Sequence, residues 1–173
     1  MQILETDRLI LRHLERGDLD DLHALYADPE IRRYFPDGTL TREETLEELE
    51  WFLAGHPEHP QLGLWATIHK PTGGFIGRCG LLPWTIEGRP EVEVAYLLAK
   101  RYWGQGLATE AARAIVHHAC AHLGYERLIC LIDPANAASI RVAERIGMRL
   151  ERALEDDAGP YLLYARTCAD ALP

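Results

Sequence analysis

A single mixed α/β domain spanning residues 1–173 is the fold class the sequence predicts: a central, mostly antiparallel sheet with one parallel strand pair and helices on both faces. Three observations predict it. β-rich runs at 62–68, 75–82 and 89–98 follow one another with turn signals between them, as neighbouring strands do. An Ala-rich helix over 104–123 then separates the last of these from a wholly apolar run at 128–132. Strand, helix, strand in that order implies a right-handed parallel crossover, and an apolar run suits a sheet centre. Finally, the 173 residues, 47% hydrophobic and 26% charged, contain no repeat and suit one ordinary domain that buries its own core.

Each element has a local reason. Leu9–Leu14 reads as a first strand. Leu19, Leu22, Leu25 and Tyr26 have helical spacing behind Asp18, a plausible N-cap. Pro36-Asp37-Gly38 marks a turn. Thr41-Arg42-Glu43-Glu44 satisfies the capping-box pattern ahead of Leu46, Leu49 and Leu53, and Gly55 closes that helix. Pro71-Thr72-Gly73-Gly74 is a hairpin signal. Over 89–98, Glu91 and Glu93 alternate with Val92 and Val94, as in a half-buried strand. Gly124 ends the long helix, a shorter helix over 137–146 stops at Gly147, and two strands near 148–152 and 161–167 close the chain.

Composition excludes some functions. A formal net charge of −9, spread along the chain, argues against general nucleic-acid binding and is compatible with cationic partners such as amines. No run approaches the ~20 apolar residues of a membrane span, and the N-terminus shows no basic region followed by an apolar one. Cys79, Cys120, Cys130 and Cys168 form no C-x-x-C pair, so structural thiols in a reducing compartment are expected, and with them a soluble cytoplasmic protein. His56 and His59 flank Pro57 and Glu58 without a third ligand nearby, and His117, His118 and His122 sit on the long helix, so no metal is expected.

The most informative segment runs from Tyr96 to Glu110, where a strand enters the turn Trp103-Gly104-Gln105-Gly106 and the turn opens a helix. The first amides of a helix lack internal partners and its N-terminal end is electropositive. Glycines let the backbone approach a ligand closely. The product is an anion cradle suited to a pyrophosphate. A phosphate loop of the Gly-Lys-Ser/Thr type is absent, and a G-x-G-x-x-G fingerprint fails at Thr109. On the glycines alone, a tight strand-to-helix connection is as good a reading as a phosphate site.

The spacing resembles motif A of the GNAT superfamily of N-acetyltransferases, Q/R-x-x-G-x-G/A, which implies a site for the pyrophosphate of acetyl-CoA. Two registers fit. Trp103-Gly104-Gln105-Gly106-Leu107-Ala108 places a small residue in the first helical turn and is preferred; Arg101-x-x-Gly104-x-Gly106 satisfies the pattern literally. Either implies that the amides of Gly104 to Thr109 do the binding. Three further stretches resemble the RimJ/RimL-like branch, which acetylates N-termini of ribosomal proteins: Leu4 to Arg12 matches its E-T-x-R-L-x-L-R opening, Glu91 to Ala112 its strand-turn-helix ending W-G-x-G-x-A-T-E-A, and Asn136 to Met148 its N-x-x-S-x-x-x-x-E-x-x-G-M/F helix.

That resemblance implies roles. Acetylating an amine requires it neutral, and a free α-amine (~7.7–8.0) deprotonates more easily than a lysine (~10.4). Glu93, in the context Glu93-Val94-Ala95-Tyr96, is the candidate base; as an isolated residue it reads equally as a solvent-facing carboxylate. Tyr96, Leu97 and Leu98 would meet the pantetheine arm, whose amides can pair with a sheet edge as an added strand does. Asn136 would cap the following helix or bond the arm, and Ser139 would protonate the departing thiolate or be a helix-surface serine. Arg145, with Arg141, would meet phosphate or form a solvated face. Tyr34, Phe35 and Trp84, on or beside loops, are candidates for the acceptor wall. The expected activity is direct acetyl transfer from acetyl-CoA to a primary amine, whether a protein N-terminus, an amino acid or another small molecule. No cysteine with activating neighbours supports an acyl-enzyme. A homodimer is compatible with the resemblance. The alternative is a non-catalytic acyl-CoA-binding sensor or scaffold.

Overall fold

The computed structural model describes residues 1–169. Two short strands, β1 (Gln2–Glu5) and β2 (Leu9–His13), precede α1 (Leu19–Tyr26) and α2 (Arg42–Ala54). Strands β3 (Gly63–His69), β4 (Gly74–Ile86) and β5 (Arg89–Leu98) follow, then α3 (Leu107–Ala121), β6 (Arg127–Ile132), α4 (Ala137–Arg145), β7 (Arg149–Asp156) and β8 (Gly159–Thr167). All eight strands form one sheet in the order β1-β2-β3-β4-β5-β6-β8-β7. Every pairing is antiparallel except β5 with β6, so the sheet is the mixed one expected.

The two faces have separate cores. On one, Leu107, Ala111, Ala112, Ile115, Val116 and Ala119 of α3 bury against Val94 and Leu98 of β5 and Leu128, Cys130 and Ile132 of β6, with Ala143 and Ile146 from α4. The alanines and the apolar spacing of α3 explain how it lies flat on the sheet. On the other, Leu22, Leu25 and Tyr26 of α1 and Leu49 of α2 close over Ala66, Ile68, Phe75 and Leu97.

Local signals are realised where they are purely local. Thr41 accepts from the Glu44 amide while the Glu44 carboxylate accepts from the Thr41 amide, a complete capping box. Several expectations need correction. The opening strand is a hairpin, β1 and β2, with the register shifting between Gln2 and Leu4. Asp18 does not cap α1 with its side chain. That carboxylate is buried, accepting from Arg12 Nη1 and Nη2 at 2.7 and 2.6 Å and from the Glu15 amide at 2.9 Å. The long helix begins at Leu107 rather than Gly104, because Gly104 and Gly106 both adopt left-handed φ, 73° and 78°. Trp84 stands inside β4 instead of on a loop, since β4 continues through Pro83 to Ile86. A proline is tolerated there because β3 begins opposite Leu81, leaving no ladder bond to break on that side beyond it.

The cysteines are the largest departure. Cys79 and Cys130 are buried free thiols, but Cys120 of α3 and Cys168 just beyond β8 form a disulfide with a Cα–Cα separation of 5.5 Å. Cys168 is brought to α3 by its amide, which donates to the Glu126 carbonyl at 2.8 Å. The disulfide removes the support that four free thiols gave to a reducing compartment. Among the described residues no helix is long and apolar enough to cross a membrane.

Candidate functional site

The site is built around a parting of strands. β5 and β6 share a single ladder pair, Glu93 with Ile129, and beyond it they splay. Side chains occupy the start of the gap: the Leu131 amide donates to Glu93 Oε1 at 3.4 Å, and Cys130 Sγ donates to the Val94 carbonyl at 3.2 Å. Val94 therefore turns its carbonyl towards β6. By the two-residue alternation of a strand, the main chains of Tyr96 and Leu98 face the same way. The Leu98 carbonyl is taken by the indole of Trp103 at 2.7 Å. Tyr96 is left with its peptide groups facing the gap. Leu97 points the other way, opposite Arg78 of β4, and its side chain packs on the α1/α2 face.

Tyr96 also spans the gap with its side chain, donating from its hydroxyl to the Ser139 carbonyl at 2.9 Å. Burial pushes the Tyr96 hydroxyl well above its usual range, reinforced by Cys130 and Glu93 nearby. Ser139 stands in the first turn of α4, and Asn136 caps that turn by accepting from the Ser139 amide at 3.1 Å. The Asn136 oxygen is thus committed to the helix.

Glu93 is half-buried at the point of divergence. Its Oε2 accepts from the Trp84 indole at 2.7 Å. Burial pushes its carboxyl up, opposed by the Trp84 and Leu131 donors and by the charge of Arg78. It projects from the α1/α2 face, whereas Cys130 and Tyr96 lie towards α3, and both sense its charge. Glu93 is therefore reachable from one face while touching the gap that opens to the other. Phe35 belongs to the same face, stacked 4.3 Å under the Arg32 guanidinium and 5.7 Å from that of Arg78. Tyr34 stacks only with Arg33, 5.4 Å away.

At the far end of the gap lies the glycine turn. The first intrahelical bond of α3 runs from the Glu110 amide to the Gly106 carbonyl, so the amides of Leu107, Ala108 and Thr109 crown the helix. The Gln105 side chain folds back to the Arg101 carbonyl, and the Gln105 carbonyl accepts from Arg8 at 3.0 Å. Beside this crown is an open cleft of about 620 Å³ lined by Arg8, Gly106, Thr109, Arg113 and Arg145 among others. Arg113 donates to the Arg145 main-chain carbonyl at 3.0 Å, holding α4 against α3.

Sequence reasoning missed why Arg8 is there. The Glu110 carboxylate accepts from the Thr6 hydroxyl at 2.6 Å, the Arg8 amide at 2.9 Å and Arg8 Nε at 2.6 Å. Burial would raise the Glu110 carboxyl, but the Thr6 and Arg8 donors together hold it below its usual range. The opening E-T-x-R pattern and the A-T-E pattern of the long helix are two halves of one clamp. Their co-occurrence was the available signal. Among the described residues no cluster could hold a metal ion.

Residues 8–149 match the model of the acetyltransferase (GNAT) domain. The chain belongs to the GNAT family of acetyltransferases. Within GNAT, it is 37% identical over 164 residues to the uncharacterized protein YkkB of Bacillus subtilis (strain 168), covering 94% of each chain. It is 29% identical over 157 residues to the uncharacterized N-acetyltransferase p20 of Bacillus licheniformis, covering 90% of this chain and 87% of that one. Among solved structures, the RimL ribosomal L7/L12 α-N-protein acetyltransferase superposes with a TM-score of 0.78 at 20% identity, covering 98% of this chain and all of the other, a likeness of fold. The parted β5–β6 pair and the glycine turn of this GNAT chain thus sit in a family frame.

Proposed function

We propose that this GNAT chain transfers the acetyl group of acetyl-CoA to the nitrogen of a primary amine, small molecule or protein N-terminus, by direct attack in a ternary complex. One observation carries the reading: a half-buried carboxylate, Glu93, is held at the point where two strands part, with the N-terminal end of α3 and its unpaired amides at the other end of the same gap. The residues present suit the cosubstrate. The Tyr96 peptide can pair with an amide-bearing arm, the crown of Leu107, Ala108 and Thr109 suits a pyrophosphate, and Arg8, Arg113 and Arg145 supply positive charge beside it. The RimL neighbour was solved in complex with coenzyme A. The three stretches resembling the RimJ/RimL-like branch point to an α-amine as one acceptor class.

Acetyl-CoA supplies the activated acyl group as a thioester. Glu93 takes the proton of the incoming amine, directly or through a water, as nitrogen bonds to the carbonyl carbon. When the carbon–sulfur bond breaks, the thiolate needs a proton, and the Ser139 hydroxyl is the donor we assign, with Tyr96 holding the Ser139 turn in place. Gly104, Gln105, Gly106, Ala108 and Thr109 shape the cradle, Trp103 pins the turn to β5, and Leu98 with Tyr96 forms the edge. Raising the carboxyl of Glu93 brings it towards the pKa range a general base needs. Thiol release from acetyl-CoA over a panel of amines tests the reading. Acetyl-CoA binding without turnover for any amine, by wild type as by Glu93→Gln, would contradict it.

A further inference from the structure

Arg78 is not used by the chemistry above, and its surroundings are unusual. It is 5% exposed, yet no carboxylate lies within ion-pairing distance among the described residues. Its one hydrogen bond runs from Nε to the Tyr26 hydroxyl at 2.9 Å, and Tyr26 in turn donates to Glu48. The guanidinium is stacked by Tyr26 at 5.5 Å and Phe35 at 5.7 Å. A guanidinium carries five N–H donors, and those on Nη1 and Nη2 have no partner among the described residues. Neither nitrogen is among the sealed atoms that lack a hydrogen bond, which are Arg32 Nη2 (ion-paired to Asp37), Thr67 Oγ1 and Arg152 Nε, so both keep solvent access. The nearest counter-charge, Glu48, reaches this cation only through the Tyr26 hydroxyl, so the Nη1 and Nη2 donors are left without a carboxylate in contact.

Its position gives those donors a use. Arg78 pairs with Leu97, and Leu82 with Glu93, so Arg78, Gly80, Leu82 and Trp84 of β4 share the α1/α2 face with Glu93 and Ala95 of β5. Between the cation and the carboxylate this face of the strand pair carries only the small residues Gly80 and Ala95, and the Gly63 carbonyl oxygen closes over Gly80, 2.0 Å from where a Cβ would stand. Glu93 lies four residues along β5 from the partner of Arg78, about 13 Å by strand rise, and both long side chains shorten that span. The two charges interact. One face of the β4–β5 pair thus carries a cation with free Nη donors and, farther along, the candidate base.

We infer that Arg78 is an acceptor-recognition residue, and that the acceptor is a primary amine carrying an anionic group, such as a carboxylate, a few bonds from the reacting nitrogen. This rests on the acetyl-transfer reading of Glu93. The anion would accept from Nη1 and Nη2 while the amine reaches Glu93; a diamine would set its second cation against Arg78.

The experiment compares kcat/KM for 4-aminobutanoate, 1,4-diaminobutane and butylamine with acetyl-CoA, in wild type, Arg78→Gln and Arg78→Lys. Wild type should prefer 4-aminobutanoate over both others. Arg78→Gln should raise KM for 4-aminobutanoate roughly 10- to 100-fold beyond any change seen with butylamine, as loss of charge-assisted hydrogen bonds entails, while a change in kcat from removing the Arg78 charge near Glu93 should be shared by all three amines. Should Arg78→Gln fail to fold, Arg78→Lys, which keeps the buried charge but loses the planar fork, should lower kcat/KM for 4-aminobutanoate alone. Equal use of all three amines by wild type, or an equal loss for all three in a folded variant, would overturn the inference and leave acetyl transfer standing. Absence of turnover with every amine despite coenzyme A binding would remove the reading beneath it.

Discussion

Glu93 is held by opposed forces, burial pushing its carboxyl up and the Trp84 indole, Leu131 amide and Arg78 charge pulling it down. Since the upward effect prevails, the folded protein favours the protonated acid. That contribution to stability is full below the unfolded pKa and is lost as pH rises through the folded one. Glu93→Gln should therefore melt higher than wild type at neutral pH, with the gap closing on acidification, as thermal unfolding at several pH values can show. The same variant should lose roughly 10²–10⁴-fold in kcat/KM, the contribution expected of a general base. A smaller loss, or an unchanged acid limb of the pH–rate profile, would assign the proton elsewhere. Gly106 is a second residue-scale case. At φ 78° it needs glycine although a side chain would have room, the nearest atom being Arg8 Nη2 at 3.7 Å. Gly106→Ala should cost about 1–2 kcal/mol of stability and weaken coenzyme A binding, read by denaturant melts and calorimetry.

Between elements, two long-range links matter, and neither is visible in local sequence. Thr6 and Arg8, at the entry to β2, grip Glu110 in the first turn of α3, so the first hairpin fixes the helix end proposed as the cradle. Donors hold the Glu110 carboxyl low despite burial; this contribution is present above the unfolded pKa and lost as pH falls through the folded one. Arg8→Ala should destabilise by about 1 kcal/mol at neutral pH, discounted for the half-exposed guanidinium, with the difference vanishing in acid, and should weaken coenzyme A binding more than it weakens folding. The Cys120–Cys168 link closes a span of 48 residues containing β6, α4, β7 and β8. A chain-entropy treatment gives it up to about 4 kcal/mol. Alkylation of the native protein followed by mass spectrometry should label at most Cys79 and Cys130, and reductant should lower the melting temperature. Labelling of Cys120 and Cys168 without reductant would contradict the link. The Thr41–Glu44 box and the Asn136 cap were legible because both partners lie within one turn of chain. The Glu110 clamp joins residues 102 positions apart, and the disulfide depends on how β8 returns beside β6, so spacing alone could show neither.

Across the whole molecule, hydrophobic periodicity and turn residues made the strand and helix order readable, and the mixed sheet followed from the crossover around α3. The splay did not follow. That β5 and β6 touch at one pair and then part depends on how α3 and α4 pack across them, a property of three-dimensional assembly. The parting gives the candidate site its shape, with Tyr96 along one wall, the α3 crown at one end, Ser139 across the gap and Glu93 at the apex, on the face it shares with Arg78. The glycine turn, being local, pointed to the crown, while Arg8, Arg113 and Arg78 became functional candidates only once the strands were in register. The account stands or falls on where coenzyme A lies in this frame, and a crystal structure of its complex tests that directly. It should place the diphosphate on the amides of Leu107, Ala108 and Thr109, the pantetheine along the Tyr96 edge and the sulfur near Glu93 and Ser139; coenzyme A bound away from the start of α3, with the gap between β5 and β6 empty, would contradict it.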